Sequence, residues 1–130
     1  MTTGKEKLEN LTNSWYGFAL VSGIATVAMN GIGVFSIVGA AMWTFFMFCV
    51  TFVLGRALIK KSSITRAFLL VVSAVFTVLG VLGVGSSVWS FFSEWSLSYL
   101  VYAAFGASSV YMHGRSFRVL TDSSVKAYFA

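Results

Sequence analysis

Charge is what this sequence has least of. Only 10% of its 130 residues are Asp, Glu, Lys or Arg, whereas a soluble domain carries about 25% to cover its surface. So little charge leaves most of a folded exterior apolar, which excludes an ordinary water-facing surface and requires lipid or a large partner. The length fits one bundle, a single domain over residues 1–130, and not two.

Cysteine and histidine are nearly missing as well, each present once. Cys49 lies inside an apolar run, so no intrachain disulfide is possible, and it is expected as a small buried hydrophobe. His113 has no carboxylate or cysteine near it in sequence, and one imidazole cannot make a metal site alone. Ser and Thr are plentiful but lack a base, and no phosphate-cradling Gly loop with an adjacent Lys occurs. No catalytic, metal or cofactor-binding residue is therefore assigned, and the chain is expected not to be an enzyme. His113 is expected to close the last helix at a membrane interface.

The charge that is present falls in clusters. Residues 10–55 hold no Asp, Glu, Lys, Arg or His. As one helix they would reach roughly 70 Å, more than twice a bilayer core of about 30 Å. They must fold back, and Asn30-Gly31-Ile32-Gly33 is the place least favourable to continuous helix. An all-α, polytopic membrane fold follows, with four transmembrane helices arranged as two hairpins over residues 14–30, 34–58, 67–85 and 97–112. Residues 1–13 are polar and read as a short surface helix or arm. Trp15 and Tyr16 mark an interface. Ser62 or Ser63 is a candidate N-cap for the third helix, and Asp122 for a short final one. Residues 86–96 are too polar for mid-bilayer and too aromatic for an ordinary loop, so they read as a short amphipathic segment lying in the interface between the third and fourth helices.

The basic residues set the orientation. With four spans, Lys5, Lys7, Arg56, Lys60, Lys61, Arg66, Arg115, Arg118 and Lys126 all fall on one side, and the opposite side carries no Lys or Arg. By the positive-inside rule both termini face the cytoplasm, in a bacterial inner membrane. The same clustering argues against nucleic acid, because no basic stripe interleaved with exposed aromatics is present.

Function is read mainly from what the spans lack. Ion-coupled transport needs ionisable groups within the membrane, and the four spans contain none. Their Ser and Thr residues read as helix–helix hydrogen bonds or back-bonds to the preceding turn, or else as the lining of a polar pathway. Small residues recur four apart, as in Ala19 and Gly23, Ser36 and Ala40, Ser73 and Thr77, and Ala103 and Ala107. Such pairs let helix backbones approach closely in lipid, and their number exceeds what four helices can cover internally. Trp89, Phe91, Phe92 and Trp95 form an aromatic cluster on the non-cytoplasmic side, suited to lipid headgroups or to a partner. The expected partners are the bilayer and either further copies of the chain or other membrane subunits. The reading is a structural or interaction subunit of a homo-oligomer or larger membrane complex. Two alternatives stand beside it: an oligomeric passive channel or lysis-type pore, and an immunity or exclusion protein that binds a foreign partner.

Overall fold

The computed structural model describes residues 2–130, and these are all-α, with no strand among them. Helix α1 (Gly4–Asn30) opens with a capping box. The Thr3 hydroxyl accepts from the Glu6 N–H at 3.3 Å, and the Glu6 carboxylate accepts from the Thr3 N–H at 2.7 Å, so two orphan donors of the first turn are satisfied reciprocally. Of the polar arm expected over residues 1–13, residues 4–13 are thus the first turns of α1, and residue 1 lies outside the described residues. The reason is Leu8 and Leu11, which sit among the polar residues on one face and are fully buried by the chain itself.

The first turn lies where composition placed it. Helix α1 ends at Asn30, and α2 (Val34–Ile59) begins three residues beyond Gly31. Gly31 has φ +82°, a region that side chains with a Cβ rarely adopt. Helix α2 stops in a Schellman arrangement: Ser62 N–H donates to Ala57 C=O at 3.0 Å and Lys61 N–H to Leu58 C=O at 2.9 Å, with Lys61 itself left-handed at φ 63°.

Helix α3 (Ser63–Glu94) is capped by the Ser62 hydroxyl, which accepts from Thr65 N–H at 3.3 Å. It runs without interruption through residues 86–94, so the separate interfacial segment expected there is instead the last turns of α3. The chain has no proline, and serines do not stop a helix whose i→i−4 bonds are made; α3 ends only where Trp95 turns left-handed at φ 52°. Helix α4 (Ser98–Thr121) likewise continues well past His113. His113 therefore does not close a helix; its ring stacks on Phe76 of α3 at 5.2 Å between centroids. Asp122 caps α5 (Ser123–Phe129), accepting from Ser124 N–H at 2.9 Å.

Helices α1 and α2 pack as one antiparallel hairpin, and α3 and α4 as another. The hairpins meet through α1 and α4, while α5 folds back on α1. A three-residue connection joins α2 to α3, yet these two touch little. The core lies at one end of the molecule, where Leu8 and Leu11 of α1, Leu58 of α2, Leu69 of α3, Leu120 of α4 and Val125 of α5 converge. Burying each such side chain is worth about 1.5–3 kcal/mol. Helices α2 and α3 are long and apolar enough to cross a membrane, and the chain buries little of either.

Candidate functional site

Small residues line the seam of the first hairpin. Ala19, Ser22 and Gly23 of α1 are buried, as is Ala40 of α2. A Cβ at Gly23 would run into the Thr44 hydroxyl of α2, so the absence of a side chain there sets the helix separation. The Trp43 indole N–H crosses to the Ser22 hydroxyl at 3.3 Å. Nearer the core, a Cβ at Gly55 would lie 2.5 Å from the Thr12 methyl, a second close approach.

The remaining small pairs are placed unequally. Ser73 is buried, and Thr77 donates back to its carbonyl at 2.7 Å. Ser36 Oγ is the one buried side-chain polar atom without a hydrogen-bond partner among the described residues. Ala103 is half-buried. Ala107 is exposed and lines a shallow groove of about 440 Å³ between α1 and α4, with Phe18, Val21, Ser108, Tyr111 and Met112. A second groove of about 450 Å³ between α1 and α2 is walled by Leu20, Ile24, Val27, Ala41, Phe45 and Phe48. Neither groove holds a carboxylate, an imidazole or an amine, so neither has a group to move a proton at neutral pH; both can accommodate apolar chains.

The aromatic cluster is the tip of α3. Trp89 and Trp95 are 77% and 74% exposed, Phe92 is exposed and Phe91 half-buried. Phe91 packs against both Phe92 and Trp95, with centroids 5.5 and 5.8 Å away. Trp95 holds its left-handed backbone without being glycine, which costs about 1–2 kcal/mol. Beside it, the Tyr99 hydroxyl donates to the Glu94 carboxylate at 2.8 Å. An aromatic kept at a strained turn is a pointer to use of that surface.

The opposite end gathers the charges. Lys7 pairs with Asp122 at 2.8 Å, tying α1 to the α4–α5 junction. Lys7 and the Ser124 N–H and hydroxyl hold the Asp122 carboxyl well below the usual carboxylate range. Arg66 Nε donates to Leu120 C=O at 3.0 Å, and the Tyr128 hydroxyl to Ile59 C=O at 2.6 Å. Lys61 lies 5.0 Å from the Tyr128 ring centroid and Arg66 5.5 Å from that of Phe129. Trp15, read from sequence as an interface marker, donates its indole N–H to the Ser116 hydroxyl of α4 at 2.8 Å. Among the described residues only Lys5 and Lys7 meet a carboxylate. Arg56, Lys60, Lys61, Arg66, Arg115, Arg118 and Lys126 do not, and they surround the same end.

Two features were hidden from sequence reasoning. Cys49 is exposed on α2, not buried as expected. It falls on a stripe with Met42, Phe45 and Phe52, three or four residues apart and all exposed. The long-range role of Trp15 and Arg66 was also invisible, because their partners lie 101 and 54 residues away along the chain, and nothing in the local pattern marks them.

Compared with protein-family models, with curated proteins and with solved structures, the chain matches none.

Proposed function

We propose that this chain is an integral membrane protein crossing the bilayer four times, with both termini on the cytoplasmic side of a bacterial inner membrane. On this reading it is a non-enzymatic structural or interaction subunit of a homo-oligomer or larger membrane complex. The observation that carries it is the apolar surface the chain leaves outside: Phe35 of α2 is 94% exposed and Trp89 of α3 77%. Monomeric soluble proteins rarely present large contiguous apolar patches, and here two whole helices do so. The core of a water-soluble bundle would instead enclose its most apolar helices.

Helices α1 and α4 complete the topology. Each carries a charge-free length next to a charged portion, and the charged portions lie at the shared basic end with α5. The hydroxyls of the spans favour a packed subunit over a polar pore. Thr26 donates to Ser22 C=O at 2.8 Å, Thr77 to Ser73 C=O at 2.7 Å and Ser108 to Ala104 C=O at 3.0 Å. Each is spent on its own preceding turn, and Ser22 and Ser73 are buried within the chain. The exposed aromatic tip of α3 offers the anchors that interfaces favour.

Purification in a mild detergent with mass measurement tests the reading. A species larger than the 14.1 kDa chain after correction for detergent, dissociated by Trp89→Ala with Trp95→Ala, is expected. A clean monomer that carries no partner overturns it.

A further inference from the structure

The outward stripe of α2 ends in cations. Phe45, Cys49 and Phe52 are followed at the same helical spacing by Arg56 and Lys60, and all five are exposed. The Arg56 guanidinium lies 5.8 Å from the Phe52 ring centroid, folded back along the helix as long helical side chains are, at the boundary between apolar stripe and polar loop. None of Arg56, Lys60 and Lys61 meets a carboxylate among the described residues. Lys61 takes the left-handed position that ends α2, φ 63°, where glycine is the ordinary choice. Its ammonium lies on the Tyr128 ring of α5, which leaves Arg56 and Lys60 as the free cations of this face among the described residues.

Resting on the membrane reading above, we propose that this end of α2 is a binding site for an anionic glycerophospholipid. Arg56 and Lys60 hold the headgroup phosphate, and the acyl chains lie along Phe52 and Cys49. Charge decides the lipid class. Two cations without a carboxylate partner beside an apolar stripe complement a net negative headgroup, and they gain much less from a zwitterionic one, whose own cation offsets the phosphate. Each such side chain strengthens attraction to an anionic leaflet severalfold. The stripe itself discriminates only apolar from polar, so it supplies affinity and not headgroup choice.

The test uses the full chain in vesicles of phosphatidylcholine containing 20 mol% phosphatidylglycerol, with spin-labelled forms of either lipid as probe. The motionally restricted lipid population reports contact with the protein. Labelled phosphatidylglycerol is expected to be enriched over labelled phosphatidylcholine by about threefold or more. Arg56→Gln with Lys60→Gln is expected to bring the ratio close to one, and Arg56→Lys to retain most of it. Lys61→Gln is the control, because the Lys61 ammonium lies on the Tyr128 ring: it is expected to leave the enrichment unchanged, and a loss as large as that of Arg56→Gln with Lys60→Gln overturns the site. A ratio near one in the unaltered chain, with restricted lipid present, overturns the lipid site and leaves the membrane reading standing. Enrichment that survives Arg56→Gln with Lys60→Gln but falls with Arg118→Gln and Lys126→Gln also overturns it. A chain that gives no restricted lipid at all overturns the membrane reading, and the site with it.

Discussion

The two ends of this molecule obey different rules. At the basic end five helices converge on buried leucines and a valine, and hydrogen bonds from Trp15, Arg66 and Tyr128 cross between elements. At the other end Ile32 in the α1–α2 turn is 91% exposed, and Trp89 and Trp95 stand free. A single solvent cannot account for both. The first end is organised as a water-soluble domain is, with apolar residues inside and charges outside. The second leaves its apolar residues for something else to cover. The hairpins are tied together at the charged end, and on the function proposed above lipid or partners cover the rest.

The comparison is broken most forcefully by emptying the enclosed end. Leu120→Ala, at a completely buried position, is expected to cost about 2–5 kcal/mol in denaturant unfolding in detergent. Phe35→Ala, in the exposed turn of α2, is expected to cost under about 0.5 kcal/mol. Equal losses at the two positions would mean that the ends are not distinct. The next effect is backbone approach. Gly55→Ala places a Cβ 2.5 Å from the Thr12 methyl and is expected to cost about 1–3 kcal/mol through overpacking. Gly39→Ala in the same helix meets nothing and is expected to be neutral or stabilising by about 0.5–1 kcal/mol. Smaller still is Trp15→Phe, which removes the donor to Ser116. The serine keeps its bond to Met112 C=O at 2.8 Å, so the loss is expected to be about 0.5–1.5 kcal/mol.

The subtlest test is pH. The Asp122 carboxyl is depressed in the folded chain, first by the hydrogen bond from Lys7 and then by those from Ser124. A carboxyl depressed by folding stabilises fully above its unfolded pKa of about 4 and loses that contribution as pH falls toward the folded value. Thermal stability is therefore expected to fall below about pH 4, and Asp122→Asn to flatten that fall. An unchanged acid limb in Asp122→Asn would remove the Lys7–Asp122 tie from the account of the basic end.

Much of this arrangement was legible in the sequence, because it rests on local chemistry. The helical class, the turn at Gly31, the Ser62 cap and the Asp122 cap all follow from residue types acting within a turn of themselves. The gathering of basic residues outside the long apolar runs was visible for the same reason. What was not legible depends on neighbours distant in sequence. Residues 1–13 look solvated until Leu8 and Leu11 are seen to meet Leu58 and Leu120. Residues 86–94 look like a separate amphipathic piece because Ser and Glu interrupt the apolar run, yet nothing there breaks the helical backbone before Trp95. Ala107 has the right spacing from Ala103 for packing, and within the chain α4 turns that position to an open groove. Cys49 looked buried because its neighbours are apolar, and in a chain that buries so little of α2 apolar neighbours do not imply burial.

Cys49 also offers the most direct test of the central claim, that the apolar faces of α2 and α3 are covered by a membrane or its proteins. It is the only thiol in the chain, and the folded chain leaves it exposed. Labelling with a membrane-impermeant maleimide, in native membranes and again after unfolding in denaturing detergent, isolates what the surroundings contribute. The account expects Cys49 to be protected in the membrane and to label only after unfolding, while Lys61→Cys with Cys49→Ser labels readily from the side that carries the termini. Rapid labelling of Cys49 in the folded, untreated protein would place the face of α2 in water and contradict the account.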